Sequence, residues 1–221
     1  MYKCVKETDM MFWKFVGMTM ALVLSTSANS AIISTDWQSS GDGLLTYDNV
    51  SGLEWLDLTE TTNNSYNQML AQINDPGGMY SGFRYATLAE LDQLVQQFNL
   101  TTENTVTSGF SNDIVNLSGY LGITMFESPD PLGYSGTGFY GYIGDLTWGT
   151  NRGSIGMYNS TKCQTGDCYA VQTEYASADL SSEIKGHFLV RDVAVVPVPA
   201  AAWLFASGLL GLFSLSRREK A

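Results

Sequence analysis

Residues 200–215 carry no charge and are mostly apolar, and Arg217, Arg218 and Lys220 follow at once. This segment constrains the chain more than any other. A helix buried in a soluble core is seldom apolar all round and then closed by cations at the very terminus. Residues 198–216 number nineteen, near the low end of the roughly 17–25 a bilayer-spanning helix needs. Pro197 and Pro199 suit a helix start, because a first-turn proline gives up an N–H that would lack a partner anyway. Trp203 falls at headgroup depth, and Leu204, Phe205, Leu209, Leu210 and Leu212 supply the anchor's body. The basic stop, Arg217, Arg218 and Lys220, is expected on the cytoplasmic side, with the preceding chain outside. The competing reading is a buried hairpin helix of a soluble fold.

The other end agrees. Residues 12–24 are mostly apolar, Lys3, Lys6 and Lys14 lie upstream or just inside, and residues 25–31 are small and polar. That is the order of a secretory signal peptide, with Ala28 and Ser30 placed for cleavage between Ser30 and Ala31. Met10 or Met11 is an alternative start, and an uncleaved anchor is the alternative outcome. The expected organisation is a signal peptide over 1–30, one exported domain over 31–195 and a sorting tail over 196–221.

The tail carries a resemblance. Val196-Pro197-Val198-Pro199, then Ala200-Ala201-Ala202-Trp203-Leu204-Phe205, Ser207-Gly208-Leu209-Leu210-Gly211-Leu212 and Arg217-Arg218 resemble the PEP-CTERM sorting signal. Val198 stands where that family usually has Glu. The resemblance implies export by the Sec machinery and recognition by an exosortase, which cuts near the Pro-x-Pro motif. It further implies an inner-membrane anchor before processing, then the cell surface or an exopolysaccharide matrix.

The chain has 22 acids and 11 bases. Glu7, Asp9 and Glu219 lie in the two ends, as do Lys3, Lys6, Lys14, Arg217, Arg218 and Lys220. The domain therefore keeps 19 acids against 5 bases, a net of −14. Such a surface repels nucleic acid and anionic lipid. It reads as a solvated acidic face, with calcium sites as the alternative. Cys163 and Cys168 enclose four residues. In an oxidising compartment such a pair reads as a loop-closing structural disulfide. A metal site would need further ligands, and the single histidine, His187, offers one at most.

Within the domain, residues 43–47 and 53–58 suit short strands around a turn over 48–52. Ser65 with Gln68 forms a capping box opening a helix whose apolar side is Met69, Leu70 and Ile73, ended by Asp75-Pro76-Gly77-Gly78. Thr87 with Glu90 opens a second, with Leu88, Leu91, Leu94, Val95 and Phe98 on one face. Residues 119–123, 138–143 and 146–148 suggest brief strands joined by loops. Residues 150–153 read as a turn, and 168–172 as the partner strand of 186–192. The class is α+β: two early helices, then a loop-rich antiparallel region.

Residues 48–55, Gly82-Phe83-Arg84-Tyr85-Ala86-Thr87-Leu88-Ala89-Glu90-Leu91 and Phe188-Leu189-Val190-Arg191 are similar to the DUF1566 (Lcl C-terminal-type) domain. Phe83 stands for the family's Trp and Ala86 for its Pro. The resemblance implies a C-type-lectin-like fold with both termini in neighbouring strands, and a structural role for Arg84 and Glu90.

No residue set stands out as catalytic. One histidine, on a terminal strand, leaves little room for Ser-His or Cys-His chemistry. Glu54 with Asp57, or Glu127 with Asp130, would be the carboxylate pairs of a glycosidase. No phosphate loop, zinc motif or EF-hand loop is present, and the reading names no cofactor. Calcium near Glu127, Asp130 and Asp145 is the one metal considered. The aromatic and Gly/Asn/Ser-rich stretch 110–158 has the composition of loops that contact sugars or proteins, or else packs on itself. Two functions follow: an exported, non-enzymatic surface or exopolysaccharide-associated protein, or an extracellular polysaccharide-acting enzyme.

Overall fold

The computed structural model describes residues 31–126, 136–163 and 166–193. The signal segment, the sorting motif (Val196 to Pro199), the anchor, the basic stop, Glu127 and Asp130 lie outside them. Among the described residues no helix is long and apolar enough to cross a membrane.

Residues 32–193 form an α+β unit of two five-stranded sheets. The first sheet is made of short strands: β1 (Ile32–Thr35), β2 (Leu45–Asp48), β3 (Leu53–Leu56), β4 (Arg84–Tyr85) and β10 (Leu189–Asp192), in the order β1-β2-β3-β10-β4, all antiparallel. Asp48 shapes the β2–β3 turn by accepting from the Val50 N–H (2.9 Å) and the Ser51 hydroxyl (2.6 Å). The second sheet has long strands: β6 (Thr137–Trp148), β7 (Asn151–Cys163) and β8 (Gly166–Ser177), flanked by β5 (Thr105–Ser108) and β9 (Gly186–His187) in the order β5-β8-β7-β6-β9. β9 runs parallel to β6; the other pairs are antiparallel.

Three helices complete the unit. In α1 (Tyr66–Ile73) the Ser65–Gln68 capping box is formed in both directions, and in α2 (Leu88–Gln96) so is the Thr87–Glu90 box. Each box satisfies two N-terminal N–H groups that a helix otherwise leaves open. α3 (Asn112–Leu121) is capped by Ser111 and ends at Gly122, φ +82°.

The main core lies where both sheets meet α2 and α3. It holds Trp55 and Val190 from the first sheet, Phe139, Ile143, Ile155, Met157 and Val171 from the second, and Leu91, Leu94, Ile114 and Leu117 from the helices. A second cluster packs α1 through Tyr66 and Met69 on Leu45, Leu56, Tyr85, Leu189 and Tyr142. Residues of β3 and β10 contribute to both clusters, as strands buried on two faces do.

Several expectations are corrected. There are three helices among the described residues, because 119–123 is the end of α3 rather than a strand. Ile114, Leu117 and Leu121 sit at helical spacing and are buried, which outweighs Gly119. Leu70 is exposed, and the buried side of α1 is Tyr66 and Met69. The segments 138–143 and 146–148 are one strand carrying a bulge, and residues 151–153 begin β7. β8 pairs with β5 and β7, while 186–192 splits between the two sheets. β1 and β10 share a sheet with β2 and β3 between them, so the terminal strands are not neighbours.

Candidate functional site

The chemistry-bearing residues are mostly committed to the fold. Arg84 binds Glu90 through two nitrogens at 2.9 and 2.6 Å, and Glu90 also accepts the Thr87 N–H at 2.8 Å. The Arg84 guanidinium holds the Glu90 carboxyl down at about 2. The pair ties β4 to the start of α2, a structural role. Glu54 accepts from Arg191 at 2.7 Å across β3 and β10. Asp57 caps a short 3-10 turn, Leu58–Thr61, by accepting from the Thr59 N–H and hydroxyl at 2.8 and 2.7 Å. Asp145 accepts the Leu88 N–H at 2.8 Å. Among the described residues no group of three or more His, Cys, Asp or Glu side chains is gathered for a metal.

His187 is fully buried. Its Nε2 lies 3.1 Å from the Asn64 carbonyl and its Nδ1 2.7 Å from the Tyr85 hydroxyl. A proton on Nε2 satisfies both: the ring donates to Asn64 and accepts from Tyr85. Burial pushes its pKa down to about 4, against the opposing pull of the Asn64 carbonyl. The ring stacks on Tyr142, centroids 5.1 Å apart. Tyr85 stacks on Tyr66 at 4.3 Å, and Arg152 sits over Tyr66 at 4.8 Å. Here the single histidine is part of the packing.

Cys163 and Cys168 lie at disulfide distance, their Cα atoms 6.0 Å apart, across the β7–β8 end. Ala31 precedes β1 and is half-buried.

The aromatic stretch divides. Among its described aromatics Phe110 and Phe126 are exposed, while Phe139, Tyr140, Tyr142 and Tyr158 are buried and pack within the domain. Trp148 does not: it is 73% exposed at the end of β6. The hairpin turns there through Gly149–Thr150, with Gly149 at φ +63°, the glycine-first pattern of a tight two-residue hairpin. Trp148 meets Tyr175 of β8 edge to face, ring centroids 5.9 Å apart. Register places Asn151 opposite Trp148, and Ser177 opposite Asn151. Side chains alternate along a strand, so Trp148, Asn151, Ser177 and Tyr175 share one face. Two aromatic rings, an amide and a hydroxyl thus stand together at the end of the β6–β7 hairpin.

Sequence reasoning marked the stretch but not this site. No local pattern separates Trp148 from Tyr142; only strand length and register do. Tyr175 lies outside the stretch and reaches the site by cross-strand pairing.

No protein-family model matches this chain, and neither a curated protein nor a solved structure was found to match it.

Proposed function

We propose that this is an exported, non-enzymatic surface or matrix protein whose domain binds polysaccharide through Trp148 and Tyr175. The observation that carries the reading is the indole, 73% exposed beside Tyr175. A lone exposed aromatic would be ordinary, but here two exposed rings stand side by side and make a small aromatic surface. The C–H face of a sugar ring is apolar and slightly positive, so it suits the electron-rich face of an indole. Covering about 150 Å² of ring surface gives roughly 4 kcal/mol of gross contact energy before the cost of association. Asn151 and Ser177 stand ready for ring hydroxyls. The domain's net charge of −14 favours neutral over acidic glycans.

The two ends of the sequence support the rest: a signal segment over 1–30, and a tail over 196–221 resembling exosortase substrates. On this reading the Sec machinery and an exosortase handle the protein on its way to the surface, and the domain is a C-type-lectin-like variant. Affinity electrophoresis of the full chain through gels containing neutral or acidic polysaccharide tests the binding. Retardation by a neutral glycan that Trp148→Ala abolishes supports it. Release of reducing ends during the run would replace it with the enzyme reading. Fractionation tests the address: full-length chain free in the cytoplasm would refute export.

A further inference from the structure

The two rings of the aromatic pair stand at a steep angle. Their planes are 68° apart and their centroids 5.9 Å apart, edge to face. Trp148 belongs to β6 and Tyr175 to β8, so the indole reaches across β7 to meet the phenol. Trp148 is 73% exposed and Tyr175 39%. The pair is therefore an open corner, not a flat strip. Gly153, directly opposite Tyr175, leaves a gap that the Leu146 side chain fills. The back of the corner is thus apolar, while the row Trp148, Asn151, Ser177 borders it with an amide and a hydroxyl. The β7 and β8 residues that share this face beside the corner are Asn151, Gly153, Thr173, Tyr175 and Ser177, all uncharged. By the alternation of strand side chains Arg152 and Glu174 project to the other face. There Arg152 lies over Tyr66 and Glu174 is held by Lys185 at 2.7 Å. Asp145, further back on β6, is turned to the Leu88 N–H.

We propose that this corner is a site for one neutral pyranose ring, so that the protein recognises a polysaccharide one sugar at a time rather than along a run of rings. The inference rests on the sugar-binding reading of Trp148 and adds the size of the ligand. Consecutive rings of an extended glycan present their faces in nearly parallel planes. Two aromatic rings 68° apart cannot both lie flat on such a run. One sugar can instead lay its C–H face on one aromatic ring while its rim meets the other. The centroid spacing, 5.9 Å, is close to the breadth of one such sugar. Its hydroxyls project from the same rim, and the row bordering the corner supplies the amide and the hydroxyl to orient them. Contact with one ring is weak: after the cost of association, a Kd on the order of 1 mM is expected. Firm attachment to a polymer then requires several copies bound to it at once.

Saturation-transfer NMR titration of the full chain, in a detergent without a sugar headgroup, reads the number of rings held. The probes are the methyl glycosides of glucose, mannose, galactose and N-acetylglucosamine, with the linear oligomers of each up to the tetrasaccharide. From monosaccharide to tetrasaccharide the affinity should rise by no more than about fourfold, the gain that four equivalent rings give by number alone. Tyr175→Ala should weaken binding about tenfold, by the same factor at every length, and Tyr175→Phe by less than about threefold. Trp148→Ala should abolish binding at every length. A steeper rise with length, or a Tyr175→Ala loss confined to the longer oligomers, assigns the two aromatic rings to different sugars. Either result overturns the one-ring corner and leaves the sugar-binding reading of Trp148 standing. Binding that survives Trp148→Ala, or no binding in any series, overturns both.

Discussion

The two sheets are built in opposite ways. The second is assembled from neighbours in sequence: β6, β7 and β8 are strands of 12, 13 and 12 residues joined by tight connections. The first is assembled from distant pieces, none longer than four residues, with β3 and β10 pairing across more than a hundred residues of chain. Local hairpins need little loop closure to form, whereas the first sheet forms only when both ends of the domain meet. The two sheets share a seam where β9 runs on into β10 and meets the 3-10 turn, the His187 N–H donating to the Thr61 hydroxyl at 2.8 Å. The far end of the second is free to carry an exposed ring. His187 and Phe188 are buried at this junction, whereas Trp148 at the hairpin end is 73% exposed.

That contrast can be broken most severely at Gly186. A Cβ there would overlap the Leu58 carbonyl oxygen, so Gly186→Ala must push apart the backbone that joins the sheets. A loss of about 3 kcal/mol or more is expected from such overpacking, read by urea denaturation or by failure to recover folded protein.

His187 lies in the same seam and gives it a pH dependence. Its folded pKa, about 4, is below its ordinary value of 6.5. The folded state therefore resists protonation. Its stability contribution is complete above pH 6.5, falls as pH drops through that value and is lost by about pH 4. The difference is about 3 kcal/mol. Denaturation midpoints at pH 7 and 4.5 should show most of it, and His187→Phe should remove that share of the dependence.

The covalent tie belongs to the second sheet. Replacing Cys163 and Cys168 with serine should cost about 2 kcal/mol for so short a loop, seen as a lowered Tm under oxidising conditions and no difference under reducing ones. Arg84→Ala acts on the first sheet and should cost about 1 kcal/mol or less, because the guanidinium is 45% exposed and water screens the pair. Smallest of all is Trp148→Ala: a stability change within about 0.5 kcal/mol, together with loss of glycan retention. A large loss of stability from that change would mean the hairpin end is structural and erase the distinction between the regions.

Legibility followed the same division by physical cause. α1 and α2 announce themselves, because a capping box and an apolar stripe are local. α3 was obscured by Ser118 and Gly119 within its apolar spacing. β7 reads as a loop because Gly153 and Gly156 interrupt it. A Cβ at Gly153 would strike the Leu146 side chain, and one at Gly156 the Tyr140 ring. These glycines make room for cross-strand neighbours, a reason that exists only once the strands are paired. The structural role of Arg84 and Glu90 came from the resemblance of residues 82–91 to the DUF1566 domain; the local pattern alone marked Glu90 only as the closing residue of a capping box.

By itself the sequence determined the two capped helices, the α+β class, the cysteine pair and an acidic surface. Each depends on residues close together in the chain or on composition. Only the tertiary structure decided which aromatics are core and which are surface, that the lone histidine is packed neutral between Tyr85 and Asn64, and that Trp148 meets Tyr175. Those outcomes depend on register between strands, where a shift of one residue exchanges the two faces of a sheet.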